Sequence, residues 1–132
     1  MAEFKTINTP WTEIHSMIDT SNGEFNPVTG YMNAADVDEV RCSFEVANMT
    51  DAQGVVTPGY QTANEVGAPD GASTIASINN KTGNGFSFAN GVYNISAGTS
   101  TKQLVRLGFW FLADDAELEV ARVAATWQIK KV

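Results

Sequence analysis

Apolar and polar residues alternate with a period of two over long stretches of this chain. From Val37 to Met49, Val40, Cys42, Phe44 and Val46 fall on one face, which predicts a half-buried strand. From Leu104 to Leu112, Val105, Leu107, Phe109 and Phe111 share a face, yet the opposite face still carries Leu104, Trp110 and Leu112. Such a strand is expected to put one face into a sandwich core and the other against a further surface. Leu118 to Ile129 continues the pattern, and a turn at Asp114-Asp115 would join the two strands as a hairpin pairing Phe111 with Leu118 and Phe109 with Val120. That register sets Arg122 opposite Leu107, so a β-bulge near Ala121 to Ala125 is predicted, bringing Val123, Trp127 and Ile129 inward.

The remaining segments are shorter. Phe4 to Ile7 predicts an opening strand. Trp11 to Ile18 fits either a helix, with Thr9 as N-cap and Pro10 in the first turn, or a strand, and the strand reading is preferred. Asp19 to Gly30 is rich in turn residues, with Asn22-Gly23 and Asn26-Pro27 around Phe25, and reads as a loop or short hairpin. Val55 and Val56 predict a hairpin partner for the Val37 to Met49 strand, interrupted by Pro58-Gly59, and Gln61 to Gly71 reads as a long surface loop. Thr74 to Ile78 predicts a short strand, followed by a loop at Asn79 to Gly85. Asn90-Gly91 predicts a type I′ turn that pairs Phe88 with Tyr93 and Phe86 with Ile95, all facing the core. Together these elements predict an all-β protein, an antiparallel sandwich or jelly roll of about seven to eight strands. Residues 1–132 read as a single domain, with residues 1–10 as an N-terminal arm.

Charge and composition narrow the functional classes. Eight Lys and Arg face fifteen Asp and Glu, for a net charge of −7. No basic stripe exists to neutralise phosphates, which argues against nucleic acid or an anionic membrane as partner. The single cysteine, Cys42, falls on the apolar face of a strand and reads as a buried hydrophobe. No export signal or membrane-length apolar run is present, so synthesis in the cytoplasm is expected. The sequons at Asn48, Asn80 and Asn94 then read as chance products of a Ser/Thr/Asn-rich composition.

Chemistry-bearing constellations are absent from the pattern. His15, the only histidine, has no nucleophile at a telling spacing, so no enzyme and no catalytic residue is expected. A zinc site lacks ligands. Asp36, Asp38 and Glu39, and likewise Asp114, Asp115 and Glu117, could suit calcium, but neither group has the spacing of a known loop and both read as solvated turn acids; no metal or cofactor is expected. Trp11, Trp110, Trp127, Tyr31 and Tyr60 could supply a sugar-stacking platform, which keeps a carbohydrate-binding module, with a glycan partner, as the alternative reading. Trp110 stands out because its neighbours already claim the other face. Either Glu119 and polar stems of the next strand cover it, or it makes a subunit contact, where Trp is enriched.

The stretch from Trp11 to Met32 resembles the opening of the C1q/TNF-like jelly rolls found on tailed-phage virions, with Asp19, Gly23, Phe25, Thr29, Gly30 and Tyr31 at the matching places. The resemblance implies a homotrimer without enzymatic activity, located on the outside of a capsid or tail. The expected function is therefore a phage virion structural protein, in first place a capsid decoration (cement) protein that bridges capsid subunits, with a receptor-binding tail or head-fibre domain as a near variant. Its expected partners are further copies of itself and the major capsid protein or another virion protein. Phe4, Ile7, Leu104, Arg106, Trp110 and Leu112 are the candidate interface residues, the arm adding a strand to a neighbouring subunit.

Overall fold

The computed structural model describes residues 3–17, 23–75, 77–113 and 117–132. In chain order its strands are β1 (Lys5–Ser16), β2 (Glu24–Pro27), β3 (Met32–Asn33), β4 (Glu39–Ala47), β5 (Val55–Ala63), β6 (Pro69–Thr74), β7 (Lys81–Thr82), β8 (Gly85–Ser87), β9 (Tyr93–Asn94), β10 (Leu104–Leu112) and β11 (Glu119–Lys130). Among the described residues a 3-10 turn, Ala34–Asp36, and a helical turn, Ser96–Thr99, complete the elements. No helix among the described residues is long and apolar enough to cross a membrane.

Two antiparallel sheets result. The first has the order β1-β11-β4-β8, with β9 also on β4; the second has the order β2-β10-β5-β6, with β3 on β10 and β7 on β5. Numbering only the eight principal strands, the sheets read first-eighth-third-sixth and second-seventh-fourth-fifth, the connectivity of a jelly roll. The all-β sandwich predicted from alternation is therefore the fold observed.

Alternation places the core where the sequence pointed. Val40, Cys42, Phe44 and Val46 of β4, and Val105, Leu107, Phe109 and Phe111 of β10, are all buried. Phe109 lies between Phe44, at 5.0 Å, and Trp127, at 5.1 Å, joining the two sheets by tilted aromatic contacts of the kind that contribute beyond their buried area. Burial of Cys42 pushes its thiol well above the ordinary cysteine range, as desolvation disfavours the thiolate.

The local pairings differ from those expected, and the difference has one cause. A jelly roll sends most consecutive strands to opposite sheets. Hence β10 and β11 form no hairpin with each other: β10 pairs with β5, β2 and β3, while β11 pairs with β1 and β4. The expected turn at Asp114-Asp115 lies outside the described residues. In β11 burial alternates without interruption through Ala121, Val123, Ala125, Trp127 and Ile129, so no bulge is needed there. The register shift falls instead on the facing strand, between Thr9 and Thr12 of β1. Likewise β4 does not pair with Val55 and Val56, and β5 runs straight through Pro58-Gly59 into the second sheet.

Three loop expectations also change. The segment Gln61 to Gly71 contains the end of β5 and the start of β6, which pair with each other, and the strand expected at Thr74 to Ile78 ends at Thr74. Neither Asn90 nor Gly91 has a positive φ, and the predicted hairpin is replaced by β8 and β9 both pairing with β4. Trp11 to Ser16 belongs to a strand, as preferred, fused with the opening one into β1; Ile18 lies outside the described residues, as do Asp19 and Asn22 of the turn-rich stretch. From Lys5 onward the expected arm is paired with β11 in the chain's own sheet.

One seam between the sheets is closed by a side chain. The buried Asn26 carboxamide of β2 accepts from the His15 N–H of β1 at 3.1 Å and donates to the His15 carbonyl at 2.9 Å and the Glu24 carbonyl at 3.1 Å. His15 Nε2 also meets Glu24 Oε2 at 2.8 Å. Just before β2, Gly23 has φ +82°, and a Cβ there would lie 2.1 Å from the Phe111 carbonyl oxygen, so only glycine fits.

Candidate interaction surfaces

The outer face of the second sheet carries four of the six candidate interface residues. Leu104, Arg106, Trp110 and Leu112 alternate with the buried positions of β10 and are each half-buried. Trp110 and Arg106 are covered from within the chain. The Trp110 indole lies against Gly59 of β5, where an added Cβ would sit 2.6 Å from its Cδ1, and its ring centroid is 5.6 Å from that of Phe25. Phe25, from the short edge strand β2, and not Glu119, provides the overlay. The Trp110 Nε1 is buried without a hydrogen-bond partner, which argues for packing over polar recognition.

Beside it runs a polar strip. Arg106 donates from Nε and Nη2 to Gln61 Oε1, at 2.9 and 2.6 Å, and its guanidinium stands 4.7 Å over the Tyr31 ring. Asp70 accepts from Thr62 Oγ1 at 2.9 Å and pairs with Lys102 at 3.1 Å. The Lys102 and Thr62 hydrogen bonds hold its carboxyl below the usual carboxylate range. Thr29 ties the Phe25 to Tyr31 segment to β10, its Oγ1 accepting from the Leu107 N–H at 2.9 Å.

Phe4 and Ile7 lie elsewhere. Phe4 is held by the cations Arg41, at 4.7 Å, and Lys130, at 5.4 Å, and Ile7 packs against the core cluster. They adjoin the first sheet, so the six candidates divide between the two sheets and do not form one patch. Two of the acids that could suit calcium are engaged separately: Asp38 Oδ2 accepts from the Val132 N–H, and Glu39 faces Lys130 at 4.0 Å, while Asp114 and Asp115 lie outside the described residues. Among the described residues no three His, Cys, Asp or Glu side chains gather as metal ligands.

The outer face of the first sheet holds what the sequence reading missed. Register places Ala124 of β11 opposite Glu45 of β4, and Glu45 opposite Phe86 of β8. Thr9 and Thr12 pair with Ala125 and Val123, so the intervening Pro10 and Trp11 both face outward opposite Ala124, as a bulge requires. A second row runs from Asn8 to Thr126 to Ser43, with Ala89 N–H donating to Ser43 Oγ at 2.8 Å. Phe86 and Phe88, expected in the core, stack at 5.7 Å and are 61% and 71% exposed. The inward slot between them belongs to Ser87, which pairs with Phe44. The polar Ser87 between two aromatics fits either facing, and only the long-range pairing with β4 decides it.

Comparison with known proteins places the architecture. No protein-family model matches the chain, and no curated protein matches its sequence. Solved structures do match in fold. The VP2 subviral particle of infectious bursal disease virus shares it at a TM-score of 0.57 and 10% identity, over 98% of this chain and 33% of that chain. The Gx strain of the same virus gives 0.56 and 9%, over 98% and 32%. T=1 particles derived from that virus give 0.54 and 11%, over 98% and 32%. The chain thus spans about a third of the length of those chains, and what it shares with these viral particle proteins is the two-sheet antiparallel β fold.

Proposed function

We propose that this chain is a non-enzymatic structural protein of a virion, a decoration (cement) protein on a tailed-phage capsid that bridges neighbouring shell subunits as a homotrimer. The observation that carries the reading is the fold likeness to viral particle proteins across 98% of the chain. The resemblance of the Trp11 to Met32 stretch to phage jelly rolls supports the phage affiliation.

The outer face of the second sheet is the docking surface of this proposal. Leu104 and Leu112 flank the strip in which Arg106 is braced by Gln61 and Tyr31, giving a rigid, mixed apolar and cationic contact of the kind that anchors interfaces. Phe4, beside the first sheet, would contribute a second contact, whereas Ile7 packs against the core. A sugar platform on Trp110 fits the geometry less well, because Gly59 and Phe25 engage its indole.

Light scattering after size exclusion, with co-sedimentation on purified capsids, tests the proposal. A trimer that sediments with shells, and a Leu104→Asp variant that does not, is the expected result. A monomer at every concentration that fails to bind shells would overturn it.

A further inference from the structure

We propose that the outer face of the first sheet is a binding site for a neutral oligosaccharide, seated between the Phe86-Phe88 pair and Trp11. This is independent of the docking surface above, which lies on the opposite sheet. The face is a trough. Its walls are aromatic: Phe86 and Phe88 at the β8 edge, and Trp11, 41% exposed, pushed outward by the bulge at the β1 edge. Three strand spacings separate those edges, about 14 Å; an open groove of about 370 Å³ lies against the phenylalanine wall, with Trp11 beyond its far side, a volume within the range of small-ligand sites.

The floor is small and polar. Asn8, Ser43, Glu45, Ala124 and Thr126 line it. Thr126 Oγ1 donates to Asn8 Oδ1 at 3.0 Å, which fixes the Asn8 carboxamide and leaves its Nδ2 free of partners among the described residues. No hydrogen bond or ion pair engages the half-buried Glu45 carboxylate among the described residues. A carboxylate between aromatic walls accepts from paired hydroxyls, while the C–H face of a sugar ring lies on the phenylalanines.

Other ligand classes fit less well. An apolar protein face would bury the Glu45 charge without a partner, at a high desolvation cost. A phosphate or nucleic acid would meet that carboxylate on a chain of net charge −7. A neutral sugar satisfies both the polar floor and the walls. Trp11 on β1, Phe86 on β8 and Phe88 one residue beyond it are exposed before any ligand arrives, which lowers the ordering cost of binding.

The test is a printed array of neutral and acidic oligosaccharides, with the strongest neutral hit titrated calorimetrically on the full chain. The expected result is binding to neutral glycans, lost at least tenfold in Phe88→Ala and several-fold in Glu45→Gln. Trp110→Ala should leave it unchanged, and circular dichroism should show all variants folded. If Phe88→Ala is misfolded, Trp11→Ala replaces it with the same expected loss. No neutral glycan bound at millimolar concentration, or binding indifferent to both trough variants, would overturn the inference. So would light scattering in which Phe88→Ala alone dissociates an oligomer, since the face would then be a subunit contact.

Discussion

Replacing Asn26 tests whether one carboxamide holds the seam between the sheets. Asn26→Ala removes three hydrogen bonds, from the His15 N–H and to the His15 and Glu24 carbonyls. At about 1 kcal/mol each the loss is about 3 kcal/mol. The His15 end is only part-buried, so water recovers some of it, leaving an expected destabilisation of about 2 kcal/mol. For a domain of this size that lowers Tm by about 8 °C. Asn26→Asp discriminates further, because a carboxylate still accepts from His15 N–H but faces two carbonyls with no donor. Its folded-state pKa should be raised above the ordinary aspartate value of about 3.9. The protonated form, which regains one donor, is then the one that stabilises. The deficit of Asn26→Asp should therefore be full at pH 7 and shrink as pH falls through the raised value. Urea melts at pH 7 and pH 4.5, with wild type and Asn26→Ala as references, measure both effects. An Asn26→Ala change below about 0.5 kcal/mol, or an Asn26→Asp deficit that ignores pH, would refute the latch.

Gly59→Ala should destabilise by about 1–3 kcal/mol through overpacking, since its Cβ would meet the Ser73 carbonyl oxygen at 2.6 Å and the Trp110 indole at the same distance; a urea double-mutant cycle with Trp110→Ala should recover only part of the loss, and full additivity would refute the contact. Cys42 should resist a water-soluble disulfide reagent in native buffer and react fully in denaturant, because its thiol is buried and its ionisation suppressed; rapid native labelling would contradict that burial. Lys102→Met should raise the Asp70 carboxyl toward the ordinary range in an NMR titration, since Lys102 is the first cause of its lowered value. The depressed folded-state value makes Asp70 stabilising above the unfolded-state pKa, and that contribution should fade as pH falls through the folded value; an unshifted titration in the variant would disprove the pairing.

Alternation was readable wherever a strand has one wet face and one dry face. The cores of β4 and β10, the buried Cys42 and the all-β sandwich class all followed from period two. Pairing was not readable, because turn signals are local and the jelly roll sends neighbouring strands to different sheets. Asp114-Asp115 and Asn90-Gly91 look like hairpin turns to any local rule, yet β10 finds β5 and β2, and Phe86-Ser87 finds β4. The double-sided apolar character of β10 was legible, but its cover, Phe25, comes from a strand far away in sequence. The trough on the first sheet was invisible for the same reason. Trp11, Glu45, Phe86 and Ala124 share it only through register among β1, β4, β8 and β11.

The bulge in β1 also bears on how this chain behaves when crowded. A twelve-residue strand at the border of a sheet offers a template onto which another chain can add, and copies so joined grow into ribbons. Pro10 has no N–H to offer such a neighbour, and the extra residue at Pro10-Trp11 buckles the ladder midway; beyond it, the Asn26 carboxamide already occupies the backbone of His15. What is left to a stray partner is two short runs, before Pro10 and between Trp11 and His15. The irregularity that turns Trp11 outward thereby also guards the protein against edge-to-edge polymerisation at high local concentration.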